Sequence, residues 1–374
     1  MDHDQFLGRL LAAFPGQVFL AGRYADGNLQ LGDDGVMRFL LPDFHWMSRE
    51  RADQYTGGYR FNGNVLLPGG NPIFAAFLEV LEAGAAAGPI KVYQLGDSYD
   101  LWREFRDADE PLEAVFRRIY YDAVINGLIA RLKNLGLILI RGNHDNWLIN
   151  LPAGYPEAAA PKTEETANGR MVLSHGHLYD SVEWLVPDDI KSWAVRLAPK
   201  VKARSHDIGF FTRKDVKDLA GFIKARDRRN DPSSFPYPTI QPRGAFLITD
   251  PADLAEIDKS YLTYLDVSIF SKRTGVRNDF DHVSAIEYAD QIYVEEVNHP
   301  GRHGVHAIGH THRARILVDR LPDGSPHVVL DCGGWIERCS VLVRPKGRPY
   351  YVPSAQFAVQ FGNELRIYQL GGNF

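Results

Sequence analysis

Five short stretches carry side chains that bind metals, and each follows an apolar run. They are Asp43 and His45 in PDFHW, Asp97 and Asp100 in LGDSYD, Asn143, His144 and Asp145 in RGNHD, His175 in SHGH, and His310 and His312 in GHTH. Carboxylate, amide oxygen and imidazole together suit borderline divalent ions such as manganese, iron, cobalt, nickel or zinc, rather than calcium or magnesium. The chemistry such a set offers is that of a bound metal, which polarises an oxygen and activates water. Residues i and i+2 of an extended chain point to the same side, so Asp43/His45 and His310/His312 are each expected to present two ligands in one direction. Glycines at 96, 142, 176 and 309 fit tight turns where backbone crowds a site. Any one of these stretches arises easily by chance. All five in this order do not.

The elements that must position them can be read from the apolar pattern. Residues 35–46 read as a strand broken at Pro42, and 90–100 as a strand running into a loop. A helix is expected over 110–136, where Leu112, Val115, Phe116, Ile119, Leu128, Ile129 and Leu132 follow three- and four-residue spacing and Gly136 supplies a stop. With the strand at 137–141 it makes a βαβ unit. Further strands are expected at 170–177 and 304–312, and two apolar runs around Pro322, Asp323 and Gly324 signal a hairpin. Every polar cluster then sits at a strand end, where open α/β folds place ligands.

The bulk numbers agree with a folded enzyme-sized chain. It has 374 residues, 45% of them hydrophobic and 24% charged, enough for a large core. A net charge of −5 gives no global attraction to nucleic acid or an anionic membrane. Two cysteines, Cys332 and Cys339, exclude a disulfide framework and a cysteine-built zinc site. No apolar run is long enough for a membrane-spanning helix, and the N-terminal stretch lacks the basic region of a signal peptide. A cytoplasmic location is the expectation.

The series D-x-H, G-D-x-x-D, G-N-H-D, a histidine after a strand and G-H-x-H resembles the motif series of the calcineurin-like metallophosphoesterase superfamily. The resemblance covers about 35–177 and 304–340. It implies an α/β fold, a four-layer α/β/β/α sandwich, with residues 1–177 and 304–374 as the core and 178–303 as an inserted, mainly helical cap. It also implies two divalent transition-metal ions, manganese foremost, with Fe, Zn, Co and Ni as alternatives. Asp43, His45 and His312 would hold one ion, Asn143, His175 and His310 the other, and Asp97 would bridge them. His175 is preferred to His177 because it directly follows the apolar strand. His144, oriented by Asp100, would donate to a phosphate oxygen or the leaving group, and Arg141, Asn143 and His144 would contact the substrate. The implied reaction is hydrolysis of a phosphomonoester or phosphodiester by metal-activated water, without a covalent nucleophile.

Other readings remain open at this stage. Trp102, five residues after Asp97, and GHTHRARI leading into LDCGGW are similar to the UDP-2,3-diacylglucosamine pyrophosphohydrolases, which also insert a helical lid before G-H-x-H. That family has arginine where this chain has His144, and shorter chains. Residues 191–229 carry twelve Lys and Arg against four Asp and Glu, in an otherwise acidic chain. That stretch is either a solvated helix face or a basic lid for an anionic, phosphorylated substrate. Nucleic acid is a possible partner on the same ground, but no recognised nucleic-acid module accompanies it. A non-catalytic binding scaffold is the remaining class.

Overall fold

The computed structural model describes residues 1–32, 34–48, 72–104, 110–145, 148, 164–167, 171–177, 246–256, 264–266, 304–310, 314–335, 337–340, 350–353 and 355–371. In chain order the strands are β1 (Val18–Ala25), β2 (Met37–Leu41), β3 (Ile90–Leu95), β4 (Ile138–Ile140), β5 (Glu164–Ala167), β6 (Met171–Ser174), β7 (Phe246–Ile248), β8 (Tyr264–Asp266), β9 (Val305–Ile308), β10 (Ala314–Arg320), β11 (Pro326–Cys332), β12 (Glu337–Ser340), β13 (Tyr350–Pro353), β14 (Ala355–Phe361) and β15 (Glu364–Leu370). Seven form a mixed sheet in the order β4-β3-β2-β14-β15-β1-β7, and six form a second in the order β5-β6-β9-β11-β10-β8. The protein is an α/β fold built on these two sheets.

Period-two alternation explains why the sheets stack. In β2, Met37, Phe39 and Leu41 face a helical layer while Leu40 faces the second sheet. In β14 the split is Phe357 and Val359 against Ala358. The helical layer consists of His3–Ala13, Pro72–Ala87, Leu112–Tyr120 and Ala123–Asn134, which contribute Phe6, Leu10, Phe74, Phe77, Phe116, Ile119 and Leu132 to one core. Leu40, Tyr93, Leu95 and Ile140 of the first sheet meet Leu173, Ala307, Val328 and Leu330 of the second in another. The outer face of the second sheet, with Val172, Leu317 and Val329, is buried as well. The basic stretch 191–229, and all of the expected helical cap except 246–256 and 264–266, lie outside the described residues. Two short strands from within 178–303 join the sheets: β7 pairs with β1, and β8 with β10.

The expected βαβ unit is present, with β3 and β4 parallel, and so is the hairpin, with β10 and β11 antiparallel. The helix expected over 110–136 is two helices. Leu112–Tyr120 ends at Tyr121, and the next helix begins at Ala123. Asp122 causes the restart: its Oδ1 accepts the Ile125 N–H at 3.2 Å, which is an N-cap geometry. No described helix is long and apolar enough to cross a membrane.

Candidate metal centre

β2, β3 and β4 run parallel in one sheet, β6 and β9 in the other, and the stretches after their carboxyl ends meet. Pairing continues past the ends of β2 and β3. The Phe44 and His45 N–H groups donate to the Asp97 carbonyl (3.1 and 2.8 Å), Trp46 N–H to the Ser98 carbonyl (2.9 Å) and Asp100 N–H to the Trp46 carbonyl (2.9 Å). Glu104 reinforces the same join, accepting from the Ser48 N–H (2.9 Å) and hydroxyl (2.6 Å). The two sheets are linked at this edge by His310 N–H donating to Asp43 Oδ2 (2.8 Å), while Gly309 N–H donates to the His175 carbonyl (3.1 Å) within the second sheet.

The expectation that Asp43 and His45 converge by strand alternation needs correction. Their side chains do converge, with Oδ1 and Nε2 3.8 Å apart, but His45 has a φ of 50° and is not extended. Asp97 (52°) and His310 (70°) share that left-handed backbone, so three of the four described non-glycine residues with positive φ lie at this site. Each such residue costs about 1–2 kcal/mol, strain of the kind that concentrates at functional sites. Close approach explains Gly142 and Gly96. A Cβ on Gly142 would run into the Asp97 carboxylate and backbone nitrogen, and one on Gly96 would overlap the His175 ring.

Among the described residues, two groups of donors share Asp97. One is His45, Asp97 and His144; the other is Asp97, His175 and His310; within each, the donor atoms all lie within 4.8 Å of one another. His45 Nε2 is 3.5 Å from Asp97 Oδ2, and His175 Nε2 approaches the same oxygen at 3.3 Å. Asn143 Oδ1 is 2.9 Å from His175 Nε2 and 3.2 Å from His310 Nδ1. His144 Nδ1 meets Asp100 Oδ1 at 2.9 Å, while its backbone N–H donates to Asp97 Oδ1 at 2.9 Å. Asp43, His45, Asp97, Asp100, Asn143, His144 and His175 are all buried, and His310 is partly so. Arg141 is partly buried. His312 lies outside the described residues.

The electrostatics fit a cation. Burial disfavours a charged His175, yet the Asp97 and Asp43 carboxylates outweigh it and push its pKa up to about 10. A place that draws a second proton onto a buried imidazole draws a divalent ion for the same reason. Asp97 is held well below the usual carboxylate range: burial opposes this, but the surrounding His175, His144 and His45 prevail. His45 is lowered to about 4 by burial and by His144, which favours the neutral ring a metal needs. The His175 Nδ1 lies 2.7 Å from the Leu95 carbonyl, the outer contact that directs Nε2 inward. His177, beside it at a ring separation of 5.3 Å, is lowered to about 3 by burial and by His175.

Sequence reading gave no role to two buried neighbours, Gln94 and Asp145. Asp145 was visible within RGNHD, but residue type alone does not reveal what a carboxylate bonds. Gln94, in mid-strand, gave no signal. Burial and the adjacent Asp97 charge push Asp145 up to about 7.

No family model matches the chain. No curated protein matches it either. Among solved structures it is similar to a dimetal phosphatase from Danio rerio at 12% identity, with 90% of this chain and 99% of that one covered and a TM-score of 0.30. A likeness that slight decides neither fold nor chemistry.

Proposed function

We propose that this chain is a dinuclear metal-dependent phosphoesterase that hydrolyses a phosphomonoester or phosphodiester with water. One observation carries the reading: the Asp97 carboxylate belongs to both donor groups, the arrangement a bridging ligand requires. Asp43, His45 and Asp97 would hold one ion and Asp97, Asn143, His175 and His310 the second, with His312 the further expected ligand of the first. Bound there, two divalent ions polarise phosphoryl oxygens and lower the pKa of the attacking water. Asp100 fixes His144 through Nδ1, so a proton passed to the leaving oxygen comes from Nε2. Asn143 contributes an oxygen without adding charge, which keeps the centre electrophilic. Arg141 and His144 are the proposed contacts to substrate oxygens.

The test joins metal analysis to a substrate panel. Purified protein is expected to carry close to two transition-metal ions per chain, and to lose activity on chelation. Manganese should restore it on monoesters, diesters, nucleotides or pyrophosphates. Asp97→Ala should deplete both ions, where loss of an unshared ligand depletes one. A well-folded, metal-free and active wild type would overturn the reading.

A further inference from the structure

Beneath the donor cluster, two buried side chains commit their polar atoms to the backbone that carries it. Asp145 accepts the Ser98 N–H on Oδ2 (2.8 Å) and the Gly142 N–H on Oδ1 (2.7 Å). Gln94 donates from Nε2 to the carbonyls of Pro42 (3.3 Å) and Gly96 (2.5 Å), and its Oε1 accepts the Gly96 N–H (3.1 Å) and the Ser98 hydroxyl (2.5 Å). Pro42 precedes Asp43, Gly96 and Ser98 flank Asp97, and Gly142 precedes Asn143. Three separate ligand-bearing stretches are thereby joined through two side chains that are 0–1% exposed.

We propose that Gln94 and Asp145 are positioning residues, a buried clasp that sets the spacing of Asp43, Asp97 and Asn143 and thereby the affinity for the metal pair. The proposal rests on the two-metal reading above. Its bonds fall on both sides of Asp97, the residue held in left-handed backbone, where an unsupported chain would relax. A carboxylate beside a second carboxylate is an unfavourable choice for packing alone. It is the choice that offers an acceptor to each of two inward-facing N–H groups. Asparagine at 145 keeps one acceptor and turns an amide N–H toward the other donor, so it separates the two loops with little change in volume.

The experiment titrates Mn²⁺ into metal-free wild type, Asp145→Asn and Gln94→Leu by calorimetry. Spin coupling of the loaded forms is followed by electron paramagnetic resonance, and thermal unfolding of the metal-free forms alongside. Both variants should bind Mn²⁺ about 10–100-fold more weakly, the usual effect of losing a partner behind a ligand, with the coupled dimanganese signal diminished. A purely structural role would lower the unfolding temperature and leave affinity and coupling unchanged, which overturns the clasp. If wild type itself binds no Mn²⁺, the two-metal reading fails and takes the clasp with it. Should Asp145→Asn not fold, Ser98→Ala removes only the hydroxyl bond to Gln94. Weakened binding there supports the clasp, and wild-type affinity overturns it.

Discussion

His144 stands within reach of two roles, and geometry alone brings both forward. Its ring contacts His45 at a centroid distance of 4.6 Å and joins His45 and Asp97 as a donor group, as a ligand would. Its Nδ1 contact with Asp100 is that of an oriented acid. As the acid, His144→Asn should lower turnover by roughly 10²–10⁴-fold with metal content unchanged. The loss should shrink for a substrate with a very good leaving group, which needs little protonation. Elemental analysis showing one ion fewer per chain would instead make His144 a ligand. At this scale the sequence was informative wherever residue type does the work. The Asp, Asn and His positions it singled out converge wherever they are described. What residue type did not signal is the left-handed backbone at His45, Asp97 and His310, because none of the three is itself a glycine. The convergence of Asp43 and His45 was therefore anticipated for a reason that does not hold.

Elements were legible where local pattern decides them and obscure where one side chain does. The parallel β3–β4 pair and the β10–β11 hairpin follow from apolar runs and a Pro-Asp-Gly turn. The break between the helices does not, because Val115, Phe116, Ile119, Leu128 and Leu132 all enter the same core whether one helix or two present them. Only Asp122, capping Ile125, separates the readings. Backbone bonds from Asn126 N–H to the Asp122 carbonyl (2.8 Å) and Asp122 N–H to the Ile119 carbonyl (3.1 Å) close the joint. Asp122→Ala should destabilise the fold by about 1 kcal/mol, the ordinary value of an N-cap, read as a lower urea midpoint at unchanged slope. Asp122→Asn, which retains the acceptor, should recover most of the loss. Equal stability of Asp122→Ala and wild type would show that tertiary packing alone sets the joint.

Across the whole molecule, the two ends of the described chain complete one sheet. β14 pairs with β2 and β15 with β1, so the C-terminal hairpin fills the gap between strands that enter the fold before residue 42. Local pattern could not reveal this, since the partners are more than 300 residues apart and any alternating hairpin has the same signature. The N-terminal helix closes over the junction. Its His3 packs edge-on against Phe361 (centroids 5.8 Å, 81°), and Phe6 against Phe357 and Tyr368. Burial, with Arg366 adding repulsion, lowers the His3 pKa from 6.5 to about 4, while Glu364 opposes the shift. A base with a depressed folded pKa contributes stability that is intact above pH 6.5 and is lost as pH falls toward 4, because the unfolded chain takes up the proton first. From pH 7 to pH 5.5 the linkage amounts to about 1 kcal/mol. His3→Leu keeps an apolar group in the same pocket and removes the titration. Urea midpoints measured at both pH values should therefore fall further for wild type than for the variant, and parallel shifts would show that His3 titrates alike in the folded and unfolded chain.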